Sequence, residues 1–210
     1  MDVPMPNPML EGKPAYPLLI IISGPSGVGK DTVLMRMREL GFPFHFVVNM
    51  NSRPPRPGEI DGIDYHFVSA ARFEQLIAEG EMLEWAQVYG QYKGVPKFEI
   101  RSALASGRDV IIRMNVEGAL TIKRIAPAAV LIYIAPASLD ELRHRLSLRH
   151  TESAEEREVR LAEYVHEQEQ IQYFDYVVIN HENQLDTAVS AIRAIITAEK
   201  HRVFPHHLSL

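Results

Sequence analysis

Apolar residues fall along this chain in two alternating rhythms. Near-continuous runs at residues 18–22, 109–114, 130–134 and 176–179 have the length and bounding residues of strands buried within a sheet. Stripes at helical spacing separate them. Val33, Leu34, Met37 and Leu40 form one such stripe, in a helix that Gly41 and Pro43 end. Further helices are predicted over residues 117–125, after a Ser138 cap with Leu142 and Leu146 facing inward, up to residue 171, and over 184–199. Strand alternating with helix in this way predicts an α/β domain.

Between the first two long runs the pattern is shorter and more broken. Short strands are expected at 44–48, 65–68 and 82–86, helices at 71–80 and 96–105, and a hairpin turn at 89–94. Glu84 lies inside the apolar strand 82–86, where a carboxylate needs a partner or water. The chain has no internal repeat.

The junction after the first strand carries the strongest chemical signal. Gly24-Pro25-Ser26-Gly27-Val28-Gly29-Lys30-Asp31-Thr32 has the spacing of a Walker A loop and leads into a helix. Its glycines let successive N–H groups turn onto phosphate oxygens, Lys30 reaches the outer phosphates, and the helix N-terminus adds free N–H groups. Asp31 stands where a Ser or Thr hydroxyl normally meets Mg²⁺. A carboxylate is also a good hard-oxygen ligand, so Asp31 is the candidate metal ligand.

Composition narrows the field. At 210 residues the apolar content suffices for a single core, and no second domain is needed. A net charge of −5 argues against a broad nucleic-acid surface and leaves a local basic pocket as the phosphate site. The absence of cysteine excludes disulfides, thiolate catalysis and Cys-based zinc sites. No apolar run has membrane-spanning length, and the proline-bearing first sixteen residues are not a secretory signal. They read as a flexible arm in a cytoplasmic protein. The histidines do not fall at a ligand spacing on one helix face.

Two further stretches bear candidate chemistry. In Asn51-Ser52-Arg53-Pro54-Pro55-Arg56-Pro57-Gly58-Glu59, three prolines hold the chain extended, and the paired guanidinium groups can converge on one phosphate. The strand at 109–114 ends on Arg113 and Asn115, and ligands collect at such strand ends.

These blocks together resemble the guanylate kinase family. The resemblance covers roughly residues 17–200 and rests on Ser23 to Lys30, the Arg53 to Glu59 block, Asp61-Gly62-Ile63-Asp64-Tyr65, Glu81 to Ala86, Gly118, Arg145-Leu146, Arg149, Thr151-Glu152 and Arg160-Leu161. It implies a P-loop kinase fold: a parallel five-stranded sheet with a small acceptor-binding insertion and a mobile lid. The implied layout is an arm at 1–16, a domain at 17–200 and a tail at 201–210. Within the domain the core is 17–48 and 109–200, the insertion 49–108 and the lid about 149–160. It also implies Mg²⁺-assisted transfer of phosphate from ATP to GMP. By resemblance, Arg53, Arg56 and Tyr65 bind the acceptor phosphate and Glu84 the guanine edge. Arg145, Arg149 and Arg160 close over the transferring group, and Asn180 lies near the donor adenine.

Departures from the family pattern gather in the acceptor pocket. Asn49 replaces a base-contacting Ser, Lys93 a phosphate-contacting Tyr, and Val95 a guanine-contacting hydroxyl. The Asp-x-Asp after the middle strand is here Arg113-Met114-Asn115. Asn49 can still bond a base, Lys93 can still meet a phosphate, and Asn115 is the polar group left at that strand end. Three readings therefore stand at this point: a guanylate kinase with a rearranged pocket, a kinase of another phosphorylated acceptor, and a binding module without catalysis.

Overall fold

The computed structural model describes residues 16–88, 90–148 and 154–203. Expectations placed on residues 1–15, Arg149, 150–153 of the lid and 204–210 of the tail lie outside these.

Five parallel strands form the central sheet: β1 (Leu19–Ser23), β2 (His45–Phe46), β7 (Val110–Arg113), β8 (Val130–Ala135) and β9 (Tyr176–Ile179), in the order β2-β7-β1-β8-β9. Four more strands form a second sheet: β3 (Met50–Asn51), β4 (His66–Phe67), β5 (Met82–Val88) and β6 (Gln91–Pro96), in the order β4-β3-β6-β5. The helices are α1 (Lys30–Glu39), α2 (Ala70–Ala78), α3 (Lys97–Ala105), α4 (Val116–Ile125), α5 (Leu139–Ser147), α6 (Ala154–Glu169) and α7 (Leu185–Lys200).

β1 lies mid-sheet, which explains its unbroken apolar run: both faces are covered. Ile20 and Ile22 pack with Val33 and Met37 of α1 and with Val189 and Ile192 of α7. Leu19 and Ile21 face the other way, against Ile100 and Ala103 of α3 and Ala119 and Ile122 of α4. Buried Asp109 secures the sheet's lower end, accepting the Leu18 N–H at 2.9 Å and pairing with Lys200 of α7 at 2.8 Å. The parallel five-stranded sheet is the one the resemblance implied, and the Ser138 cap is present, its side chain accepting from the Glu141 N–H.

The broken middle of the chain is where sequence and structure diverge. Residues 91–94, expected in a turn, are the first part of β6, paired antiparallel with β5. Two glycines produced the misreading, and they have different reasons. Gly90 has φ 75° and makes the turn. Gly94 lies in the strand, where an added Cβ would stand 2.5 Å from the Glu84 carbonyl oxygen. The strand expected at 44–48 shrinks to β2, and β3 appears where two residues offer no periodicity to read. Leu40, assigned to the inner stripe, is exposed at the end of α1.

One side-chain cluster joins the two sheets. The carboxylate of Glu99 on α3 meets His45 Nε2 of β2 and His66 Nε2 of β4, each at 2.6 Å. Both rings can donate to one anion, so a single residue ties the edge of each sheet to the helix between them. Glu99→Ala strands two part-buried imidazoles. It is expected to lower unfolding free energy by about 1–3 kcal/mol, the usual cost of leaving such groups unsatisfied, measured by urea denaturation at neutral pH.

Candidate active site

The turn from β1 into α1 is shaped by residues that lack side chains. A Cβ on Gly24 would lie 2.2 Å from the Ile134 carbonyl oxygen of β8, so only glycine lets the loop leave the sheet here. Gly29, at φ 95°, is the N-cap of α1 and supplies no side-chain cap. The first N–H groups of α1 are thereby left for an anion. Lys30 curls back over the loop, its Nζ donating to the carbonyls of Gly24 (2.5 Å) and Pro25 (2.8 Å). Val28 anchors the loop from below, fully buried in the core.

Later parts of the chain brace this loop. Asn180, at the end of β9, donates from Nδ2 to the Val28 carbonyl at 2.8 Å. Arg145 of α5 donates to the same carbonyl at 2.8 Å and to the Asn180 carbonyl at 2.7 Å, and its guanidinium is held by Glu141. Arg160 of α6 hydrogen-bonds the hydroxyl of Ser26. The structure thus brings Arg145, Arg160 and Asn180 to the phosphate loop. Arg145 and Asn180 grip its backbone, while Arg160 meets a loop side chain.

Asp31 has its own partner: Arg113 Nη1, from the end of β7, lies 2.5 Å from its Oδ1. Asn115, two residues further on, uses its side-chain oxygen to cap α4, accepting from the Gly118 N–H at 3.1 Å. Thr32 follows Asp31 on the exposed first turn of α1.

The second sheet carries the expected acceptor residues. Arg53 is buried and forms a fork onto Glu59, both bonds 2.6 Å, with its guanidinium carbon 5.6 Å from the Tyr65 ring centre and 5.4 Å from that of Phe67. The Arg56 side chain is exposed, and its backbone N–H also donates to Glu59, at 2.7 Å. Hydrogen bonds from Arg53 and then from the Arg56 N–H hold the Glu59 carboxyl down at about 2. Glu84 is half-buried on β5, and burial pushes its carboxyl up. Such a group gains from a ligand that donates hydrogen bonds to it. Lys93 is exposed on β6 opposite Asn51, and the Asn49 side-chain oxygen is buried without a hydrogen-bond partner. Val95 belongs to the core beside Leu83 and Ile100, which explains why an apolar residue is tolerated there.

Sequence reasoning gave no role to Glu59 or Glu167. The first was readable only as part of a block, because its grip on Arg53 depends on the turn at Gly58. The second lies on α6, where burial raises its carboxyl against the opposing charge of Lys30. Nothing distinguishes it in sequence from the other glutamates of an acidic helix. No group of His, Cys, Asp or Glu among the described residues forms a metal cluster, and none of their helices is long and apolar enough to cross a membrane.

A phosphate loop at the C-terminal ends of parallel strands, braced by arginines and joined to a second sheet with its own arginine and carboxylate, defines a P-loop kinase fold. The family model for guanylate kinase matches residues 16–199, and the chain belongs to that family. It is 44% identical over 191 residues to guanylate kinase 2, chloroplastic/mitochondrial, of Oryza sativa subsp. japonica, covering 90% of this chain and 67% of that one. It is likewise 44% identical to the guanylate kinase of Gloeobacter violaceus, covering 90% and 92%. The crystal structure of guanylate kinase from Anaplasma phagocytophilum superposes with a TM-score of 0.70 at 27% identity, over 90% and 88% of the two chains.

The Arg53–Glu59 fork sets a pH dependence. Glu59 is lowered from 4.5 to about 2, so its contribution is complete above 4.5 and is lost as pH falls toward 2. Glu59→Gln should be less stable than the parent at pH 6, and the two should converge in urea denaturation between pH 4.5 and 2. A gap that stays constant across that window contradicts the fork.

Proposed function

We propose that this chain phosphorylates GMP with ATP, using Mg²⁺, by in-line transfer between the loop after β1 and the second sheet. The observation that carries this reading is the pairing of two unlike sites in one molecule. One is a backbone cradle with Lys30. The other combines a rigid guanidinium, Arg53, with a carboxylate raised by burial, Glu84.

Phosphoryl transfer requires placement and positive charge more than covalent chemistry. The N-terminus of α1 and Lys30 would bind the donor's phosphates, with Gly24, Pro25, Ser26, Gly27, Val28 and Gly29 supplying the backbone. Asp31 would hold Mg²⁺ beside the donor, where the ion would supply positive charge against that developing on the transferring group. The donor set suits it: Asp31 offers a hard carboxylate at the start of α1, its side chain 71% exposed. Arg53, Arg56 and Tyr65 would orient the acceptor phosphate, with Lys93 nearby, and Asn49 and Glu84 would read the base. Arg160, already on Ser26, would reach the transferring group as α6 closes, as would Arg149. Arg145 and Asn180 would hold the loop in shape, and Asn115 would shape the floor beneath the acceptor through its cap on α4.

Lys30→Ala tests the donor half. It should leave the fold intact and cost about 2.7–4 kcal/mol of barrier, the usual loss for one preorganised charge contact, measured as kcat in a coupled assay. Activity within a factor of two of the parent would overturn the loop assignment.

Glu84 tests the acceptor half. Guanine presents donors at N1 and its exocyclic amine, whereas adenine presents an acceptor at N1 and leaves the carboxylate unpaired. In a panel of monophosphates GMP should be preferred over AMP. Glu84→Ala should lower kcat/KM for GMP by about 1.5–3 kcal/mol, the range for hydrogen bonds to a charged group. Turnover of another monophosphate without GMP would overturn the guanine reading.

A further inference from the structure

Arg113 and Asp31 stand at the boundary between the two halves of the site. Arg113 ends β7, which lies in the sheet between β1, whose loop leads into α1, and the edge strand β2, from which the chain enters the second sheet. Two residues beyond it Asn115 caps α4, and Ala119 of that helix shares an apolar layer with Leu83, the neighbour of Glu84. Arg113 thus ends the strand that adjoins both β1, which leads to the donor loop, and β2, which leads to the second sheet. Its observed partner is the Asp31 carboxylate, 2.5 Å away, in the position where a P-loop ordinarily offers a hydroxyl to the metal.

The pair is open to solvent, with side chains 36% and 71% exposed. Exposed ion pairs are weak, so this one can be exchanged for a better partner. Asp31 faces a choice of cations, Arg113 or a divalent ion beside the donor phosphates. Arg113 in turn faces a choice of anions, Asp31 or an acceptor phosphate. Satisfying the first competition for the metal settles the second for the phosphate.

We propose that Asp31 and Arg113 are a displaceable pair that couples metal binding on the donor side to phosphate binding on the acceptor side. Asp31 holds the guanidinium while no divalent cation is present. Once the carboxylate serves the metal, Arg113 is released toward the acceptor phosphate. The proposal rests on the nucleotide kinase reading above. By linkage, the gain in acceptor affinity equals the gain in metal affinity, and neither can exceed the strength of the pair. For an exposed pair that limit is about five-fold in an equilibrium constant.

Two titrations test this on the full chain bound to a non-hydrolysable ATP analogue. In the first, Mn²⁺ binding is followed by electron paramagnetic resonance without acceptor. Arg113→Met should bind Mn²⁺ about two- to five-fold more tightly than the parent, because a competitor has been removed, and Asp31→Asn more weakly. Equal or weaker binding by Arg113→Met overturns the competition. In the second, GMP binding is measured by calorimetry with and without Mn²⁺. The parent should gain about two- to five-fold when Mn²⁺ is added. Asp31→Asn should already bind GMP tightly without metal and gain nothing, and Arg113→Met should bind weakly in both states. A gain that persists in either variant overturns the coupling. If the parent binds no GMP, the guanine reading fails alone, and the Mn²⁺ titration still decides whether the two residues compete.

Discussion

The site depends on how closely the backbone after β1 approaches its neighbours. At Gly24 the loop passes so near the Ile134 carbonyl that no side chain fits, and at Gly29 a Cβ would stand 2.7 Å from the Asn180 amide. Those contacts fix where the chain turns, and the turn decides which N–H groups face outward. The braces from Arg145 and Asn180 act on the same segment through one acceptor, the Val28 carbonyl. The loop's conformation is therefore braced by side chains more than a hundred residues away in sequence. Preorganisation of this kind is what electrostatic catalysis requires.

Legibility in the sequence followed the length scale of the interactions. Elements buried on both faces, such as β1 and β8, were readable because each residue reports the same environment. Of the two-residue strands, β2 and β4 were legible only as longer runs at 44–48 and 65–68 and β3 not at all, since their extent is set by partners in a sheet rather than by their own pattern. Gly94 shows the difference sharply: a glycine needed for close strand approach looks in sequence like a glycine needed for a turn. The phosphate loop was legible because its chemistry is written in consecutive residues. The pairing of Asp31 with Arg113 was not, although both were singled out. Each was read as a departure from a pattern, and only the register that sets β7 beside β1 shows that the two departures meet.

Charge in this protein is arranged by neutralisation at short range. The chain is acidic overall, yet the cations that matter are each held by a specific anion or carbonyl: Arg53 by Glu59, Arg113 by Asp31, Arg145 by Glu141, and Lys30 by loop carbonyls. A local partner offsets the charge of each where it stands. The partners differ in strength by design of geometry: the Arg53 fork is bidentate and buried, and the Arg113 contact is single and open.

The Glu99 carboxylate has a mechanical meaning as well as an energetic one. It is held from both sides, by His45 at the edge of the central sheet and by His66 at the edge of the second. A contact shared by both edges opposes their sliding past each other and leaves rotation about that contact as the easier relative motion. The excursion of a residue then scales with its distance from the contact. Residues near it keep their spacing to the central sheet, and the far rim of the second sheet sweeps the largest arc.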